Sequence, residues 1–372
     1  FRDTSAWYHL VFAVDTTQAT ASNRLKVYVN GVQETAFNPE NYVSQNHDTG
    51  INNTALHDIG RQGSSNSNHF DGIMSHIHFI DGLAYDADTF GETDSTTGIW
   101  IPKTAPSVTY GTNGFFLKGE NSGALGTDSS GNSNTFSTNG TPTQTVDTPS
   151  NVFATLNPLY KGESGNDATF SNGNLKIVTN STSQKNAGLS TFGISSGKYY
   201  SEFKLIAEAS GESTCGVTYN PEITSQIPLI GNYGYAIASN GTAFYGGSSH
   251  GVGAWSNTFT TNDIIGVALD LDNNRVTFSK NGSWTDGSGN WDETSPIAYL
   301  TLSADQTYFI GVSDKSTSQS STWEANFGNG YFGTTAVASA QNPDDGIGIF
   351  EYDVPTGYRA LCTKSINAQE YS

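Results

Sequence analysis

Hydrophobic and polar positions along this chain alternate mostly with the period of a β-strand. Trp7-Tyr8-His9-Leu10-Val11-Phe12-Ala13-Val14 is an apolar run of strand length, rich in aromatic and β-branched residues. Arg24-Leu25-Lys26-Val27-Tyr28-Val29 alternates at period two and runs into Asn30-Gly31, a strong two-residue hairpin signal. Val32 to Phe37 is the predicted partner strand. Phe70 to Gly82 alternates again, with Ile73, Ile77 and Phe79 on one parity and Met74, His76, His78 and Ile80 on the other. Leu83 to Phe90 reads as a short helical turn, and Tyr110 to Lys118 holds one strand-like run.

From about Ala168 to Gly330 the pattern is again all strand. Lys198 to Leu205 alternates; Asn240-Gly241 separates Asn232–Ile237 from Ala243–Tyr245; Asp263–Asp272 turns at Asn273-Asn274 into Arg275–Lys280, which ends at Asn281-Gly282. Tyr308–Val312 and Trp323–Phe327 add two more. Short strands joined by Gly/Asn turns predict a sandwich or barrel, so the fold class is all-β, with tandem antiparallel β-sandwiches.

Composition agrees. Of 372 residues, 41 are glycine, 12% are aromatic and only 14% are charged. Long helices draw on Ala, Leu, Glu and Lys instead. The length suits two or three domains. The net charge of −19, from 16 Lys+Arg against 35 Asp+Glu, argues against nucleic acid, whose phosphates need a basic face, and against docking on anionic membranes. No apolar stretch approaches the ~18 residues of a membrane span. The two distant cysteines, Cys215 and Cys362, are predicted to be buried thiols rather than a bridge. The chain opens at Phe1 inside a strand-like pattern, so further strands are expected before it.

Several segments then fall into a known order. Trp7-Tyr8-His9-Leu10-Val11, Val27-Tyr28-Val29-Asn30-Gly31, Ile59-Gly60-Arg61 and Phe70-Asp71-Gly72-Ile73 through Phe79-Ile80-Asp81 together resemble the later half of a LamG-like (concanavalin A-like) jelly roll. Gly197-Lys198-Tyr199-Tyr200-Ser201-Glu202-Phe203, Cys215-Gly216-Val217, Asp263 to Asp272, Phe278-Ser279-Lys280-Asn281-Gly282 and Ala325-Asn326-Phe327-Gly328 resemble a SPRY domain. Ser201 stands where many members of that family carry Trp. The pair of units, with phrases such as Phe90-Gly91-Glu92-Thr93-Asp94, Asp147-Thr148-Pro149-Ser150 and Val354-Pro355-Thr356-Gly357-Tyr358, is similar to virion proteins of marine tailed phages. The expected organisation is a jelly roll over 1–105 lacking its first strands, a connecting segment over 106–162, a SPRY-like sandwich over 163–335 and a C-terminal extension over 336–372.

The resemblance implies a virion surface protein (tail fibre, spike or head decoration), homo-oligomeric with a trimer as the candidate assembly, that meets other virion proteins and a host-surface glycan or receptor. Candidate chemistry points the same way. There is no Walker loop, no His-Glu-x-x-His and no Glu-x-Asp-x-Glu strand of the kind glycosidases use, so no enzyme activity is expected. A polysaccharide depolymerase on the same fold and a purely architectural particle protein are the alternatives. Sugars have apolar faces and hydroxyl edges, and are held by exposed aromatics beside planar polar groups. Tyr219, His250, Trp255, Trp284 and Trp291 lie in the loops of the SPRY-like unit, with Trp255 and Trp291 set among Gly, Ser and Asn. The sequence specifies no cofactor; calcium is the one candidate, at Asp58 and Asp71, which flank a Ser/Asn loop. Asp270 and Asp272 read as a charged hairpin shoulder. His76 and His78 make a weak metal pair and read better as solvent-facing strand residues.

Overall fold

A computed structural model describes all residues except 1–5, 39–40, 64–66, 96–97, 161–167, 180–185, 222–228, 247, 251–256, 316–318 and 371–372. The architecture is nearly all β, with helix confined to short pieces such as Ala87–Phe90 and Thr363–Glu370. The chain divides into two units. One comprises residues 6–144 with 148–150, and the other consists mainly of 151–372.

The first unit holds a three-stranded antiparallel sheet, Leu10–Val14, Leu25–Val29 and Val32–Glu34. Its hairpin turns at Asn30 and Gly31, with φ of 47° and 83°. A right-twisted two-residue hairpin needs positive φ at both positions, which Asn-Gly supplies at little strain. Two further pairs complete the described strands of the unit: Ile77–Phe79 with Phe115–Leu117, and Gly91–Thr93 with Trp100–Pro102. The strand predicted across Phe70 to Gly82 is thus reduced to three residues. His76 sits at φ 52°, outside strand geometry, and interrupts it. A turn at Asp128 meets the strand Phe115–Leu117 through a bridge at Leu117. The Asp128 carboxylate accepts the backbone amides of Phe116, Ser130 and Asn134 and the Ser130 hydroxyl, and these bonds hold it below the usual carboxylate range against the opposing effect of burial.

His78 is not solvent-facing. Its ring stacks on Phe116 with centroids 3.9 Å apart, lies 5.2 Å from the Phe90 ring and meets the Tyr110 hydroxyl at 2.9 Å. Burial, with smaller repulsions from His76 and His9, pushes its pKa down to about 4. The unfolded imidazole binds its proton near pH 6.5, while the folded one refuses it until about 4. Stability is therefore lost as pH falls through that window, by roughly 2 kcal/mol after allowance for partial exposure. Melting wild type and His78→Phe at pH 7.5 and 4.5 checks this. The variant should lose much less of its midpoint on acidification, and equal losses would show that His78 carries no such penalty.

The second unit is a sandwich of two sheets. The smaller runs Ala187–Leu189, Phe309–Asp314, Ser213–Thr218, Gly234–Ala238, Ala243–Tyr245, Ser248–His250. The larger runs Trp291–Glu293, Ser283–Thr285, Arg275–Lys280, Ile264–Asp270, Lys198–Ala207, Thr322–Asn326, Lys176–Val178, Thr169–Ser171. Tyr199, Phe203, Leu205, Ile265, Val267, Leu269 and Phe278 of the larger sheet share one core with Cys215, Val217, Ile237, Ile310 and Val312 of the smaller. Both cysteines are free and buried. Ser201 is fully buried in the sheet, its hydroxyl without a partner, where the resemblance implies a large ring.

The residues of 336–372 are not a separate extension. They cover the outer face of the larger sheet, where Phe350, Tyr358, Ala360 and Cys362 form a second core with Phe153, Tyr200, Ala268 and Trp284. Arg359–Ala360 pairs in parallel with Tyr199 and Tyr200, on the edge that Thr322–Asn326 leaves after Glu202. The reason lies in the sheet itself: a sheet apolar on both faces needs a cover on each. Likewise 106–144 belongs to the first unit, since Phe115–Leu117 supplies the partner of Ile77–Phe79.

Candidate functional site

The aromatic residues expected in loops of the sandwich fall into two patches, and Trp284 and Trp291 lie in the strands Ser283–Thr285 and Trp291–Glu293 rather than in loops. Register separates the patches. Thr218 pairs with Gly234 and Thr214 with Ala238, so Tyr219 lies at one end of these strands. The amide of Phe259 donates to the carbonyl of Ser239, just past Ala238, so segment 258–259 lies at the other. The strands between span roughly 15 Å.

Trp291 belongs to the second end. It pairs with Thr285, and its indole N–H donates to the Thr258 carbonyl at 3.0 Å. The ring is half-buried against the core, with the Lys280 ammonium 5.9 Å from its centroid. Asn257 braces the same region. It accepts from the Thr285 hydroxyl at 2.9 Å and donates to the Asn290 carbonyl at 2.7 Å. Asp286 folds the tip by accepting the Asn290 side-chain amide and the amides of Ser288 and Asn290, which hold its pKa down. A fixed indole among amides, a carboxylate and an ammonium can stack a sugar ring and hydrogen-bond its hydroxyls.

Tyr219 belongs to an aromatic cluster at the first end. Its ring meets Tyr233 at 5.2 Å and Tyr308 at 5.5 Å, both edge to face, and Tyr308 meets Tyr235 at 6.1 Å. Beneath, Ser303 ties the hydroxyls: its amide donates to Tyr235 Oη at 3.0 Å, and Tyr308 Oη donates to its carbonyl at 2.9 Å. Burial, then the Tyr235 neighbour, raises the Tyr308 hydroxyl well above the ordinary tyrosine range. Tyr219 and Tyr233 remain half-buried on this base. Tyr233 was missed in the sequence, although Asn232-Tyr233-Gly234-Tyr235 carries the signal of a ring displayed beside a turn.

The other predicted residues are placed differently. Trp284 is only 3% exposed and packs 6.2 Å from the Tyr200 ring. Its place in Ser283–Thr285 turns it to the outer face of the sheet, which 341–362 covers, so it presents no ring to a ligand. His250 ends the edge strand Ser248–His250, opposite Ala243. Trp255 lies outside the described residues. Asp58 is engaged with Arg61, its Oδ1 3.1 Å from the guanidinium, while Asp71 is exposed. Among the described residues no cluster of three or more His, Cys, Asp or Glu could hold a metal ion. Asp270 is more than a hairpin shoulder. It is fully buried and accepts from Asn273 and from Arg275 Nε at 2.9 Å.

Two stretches, 193–197 and 247–251, have Gly-x-Ser-x-Gly spacing. A nucleophile elbow needs a strand turning into a helix, whereas 193–197 leads into the strand Lys198–Ala207. The second stretch includes residues outside the described set.

The fold defines the class: an all-β protein whose second unit is a two-sheet sandwich with aromatic loop ends. No protein-family model matches the chain, and no curated protein matches it. Solved structures do. The chain is similar to the SPRY domain of human HERC1, at 18% identity over 42% of this chain and 91% of that one, with a TM-score of 0.34. It is similar also to the PSpry domain of TRIM65, at 13% identity over 46% of this chain and 91% of that one, with a TM-score of 0.34. No helix among the described residues is long and apolar enough to cross a membrane.

Proposed function

We propose that this chain is a non-enzymatic surface protein of a phage particle, a tail fibre, spike or head decoration. In this reading it binds a host-surface glycan or receptor through the loop ends of its sandwich. The first unit acts as a LamG-like jelly roll, and symmetric copies assemble with other virion proteins. The observation that carries the reading is Trp291, a half-buried indole held by the Thr258 carbonyl with the Lys280 ammonium beside its ring. Such a ring is fixed in orientation by the core it packs on and by its indole hydrogen bond, which lowers the entropy lost on stacking a sugar. Tyr219 and Tyr233 offer a second platform at the opposite end.

A glycan array probed with wild type, Trp291→Ala and Tyr219→Ala tests this. A bound glycan should lose about tenfold in affinity in one of the variants, the size expected for a lost aromatic stacking contact, with the melt still cooperative. No binding to any glycan, or binding untouched by both substitutions, would remove the reading. Release of new reducing ends from host polysaccharide would replace it with a depolymerase.

A further inference from the structure

At the Tyr219 end of the sandwich, a fully buried carboxylate gathers two cations. Asp270 Oδ2 accepts Arg275 Nε at 2.9 Å and lies 3.6 Å from Lys198 Nζ. The Tyr299 ring covers one face of the Arg275 guanidinium, 4.0 Å away. Its Nε edge and that face are thereby committed, and the plane is held. The terminal nitrogens have no acceptor among the described residues, and the side chain is 35% exposed, with Lys198 at 30%. Nearby charges are already engaged. Asp272 accepts the Gly197 amide, and Arg359 pairs with Asp345 at 3.1 Å. Beside them the Tyr358 hydroxyl is buried without a hydrogen-bond partner, in the field of Asp270, Tyr299 and Arg275. An orphan phenol of this kind lacks an acceptor, and an oxyanion would be one.

The chain links this cation pair to the aromatic cluster. Leu300–Thr301 pairs with Arg275 and Val276, so Tyr299 on Arg275 and Ser303 under Tyr235 and Tyr308 are four residues apart. That is at most about 14 Å. The same end of the sandwich thus offers stacking rings, Tyr219 and Tyr233, and, on the outer face of the larger sheet, an immobilised guanidinium with its terminal nitrogens unused. Planar, pre-set guanidinium groups are suited to carboxylate and sulfate.

We infer that this end of the sandwich takes an acidic sugar chain, with Arg275 and Lys198 receiving a carboxylate or sulfate while Tyr219 and Tyr233 carry another ring of the same chain. The inference rests on the glycan-binding reading and adds the charge class of the ligand.

Titration calorimetry of the full chain with a guluronate hexamer and with cellohexaose tests it. The uronate should bind at least about tenfold tighter in 50 mM NaCl, and the margin should close at 500 mM, where exposed charges are screened. Lys198→Met and Arg275→Lys should each remove about tenfold from uronate binding and leave cellohexaose unchanged. Both variants keep a cation on Asp270, which protects the fold. Equal affinities for the two hexamers, or a uronate preference that survives both substitutions, overturns the inference and leaves the glycan reading standing. Absence of binding to either hexamer overturns the inference together with any glycan role for this end.

Discussion

A chain ended at Ala340 is expected to lose cooperative folding of its second unit. The truncation removes Phe350, Tyr358, Ala360, Leu361 and Cys362, each at most 5% exposed, and uncovers Phe153, Tyr200, Ala268 and Trp284, each at most 3% exposed. Burial of each large side chain is worth about 1.5–3 kcal/mol. The three large ones removed and the three large ones uncovered together amount to roughly 10 kcal/mol, as much as a whole domain usually holds in reserve. The unit should show weak near-ultraviolet dichroism, dye binding and a broad melt. A truncated chain with a sharp transition within a few degrees of wild type would mean that the outer layer is decoration, and that the larger sheet is stable with one face in water.

The second large effect centres on Glu202. This carboxylate has no exposed surface, yet no cation among the described residues pairs with it. It is held instead by four donors: the amides of Glu351 at 2.8 Å and Tyr352 at 2.9 Å, the Tyr200 hydroxyl at 3.1 Å and the Asn326 side-chain amide at 3.2 Å. The geometry depends on neighbours without bulk. A Cβ on Gly266 would lie 2.6 Å from the Tyr200 hydroxyl oxygen. Alanine at 202 would leave four buried donors unsatisfied and loosen the closing segment, at a cost of about 4 kcal/mol. Denaturant titration reads the loss, and limited proteolysis within 341–362 reads its location. A variant within about 1 kcal/mol of wild type and equally protected would show that Glu202 does not fasten the segment.

Glu202 also titrates out of its usual range. Burial raises its pKa to about 7, the four donors restraining the rise. The unfolded carboxyl releases its proton near pH 4.5, while the folded one keeps it until about 7. This group's contribution therefore declines as pH rises through that interval, by about 3 kcal/mol in all. Glu202→Gln should flatten that slope between pH 5 and 7. The His78 effect runs in the opposite direction with pH and resides in the other unit, so His78→Phe separates the two.

How far the sequence reached varies by element. Asn30-Gly31, Asn273-Asn274 and Asn281-Gly282 were legible as turns because positive φ is a local demand that few residues meet, and Asn30, Asn274 and Asn281 adopt it. Alternation in Lys198–Leu205 named strand residues, but not that Tyr200 and Glu202 face a second core rather than water. Period two tells which residues share a face, not what covers it. The same limit misplaced His78 and Trp284, whose burial depends on partners 32 and 66 residues away, Tyr110 and Phe350. Nor does period two tell which end of a sandwich a residue reaches, and the ladder sets Tyr219 and Trp291 at opposite ends.

Composition, turn chemistry and strand period, all local properties, were enough to determine an all-β chain with a sandwich between about 168 and 330. The tertiary structure alone decided that the last residues close that sandwich, that a buried carboxylate held by four donors anchors them, and that Arg275, Tyr299 and Tyr219 share one end. Those outcomes come from contacts between distant segments, where the surroundings of a side chain are set by which sheet it joins and what packs over it.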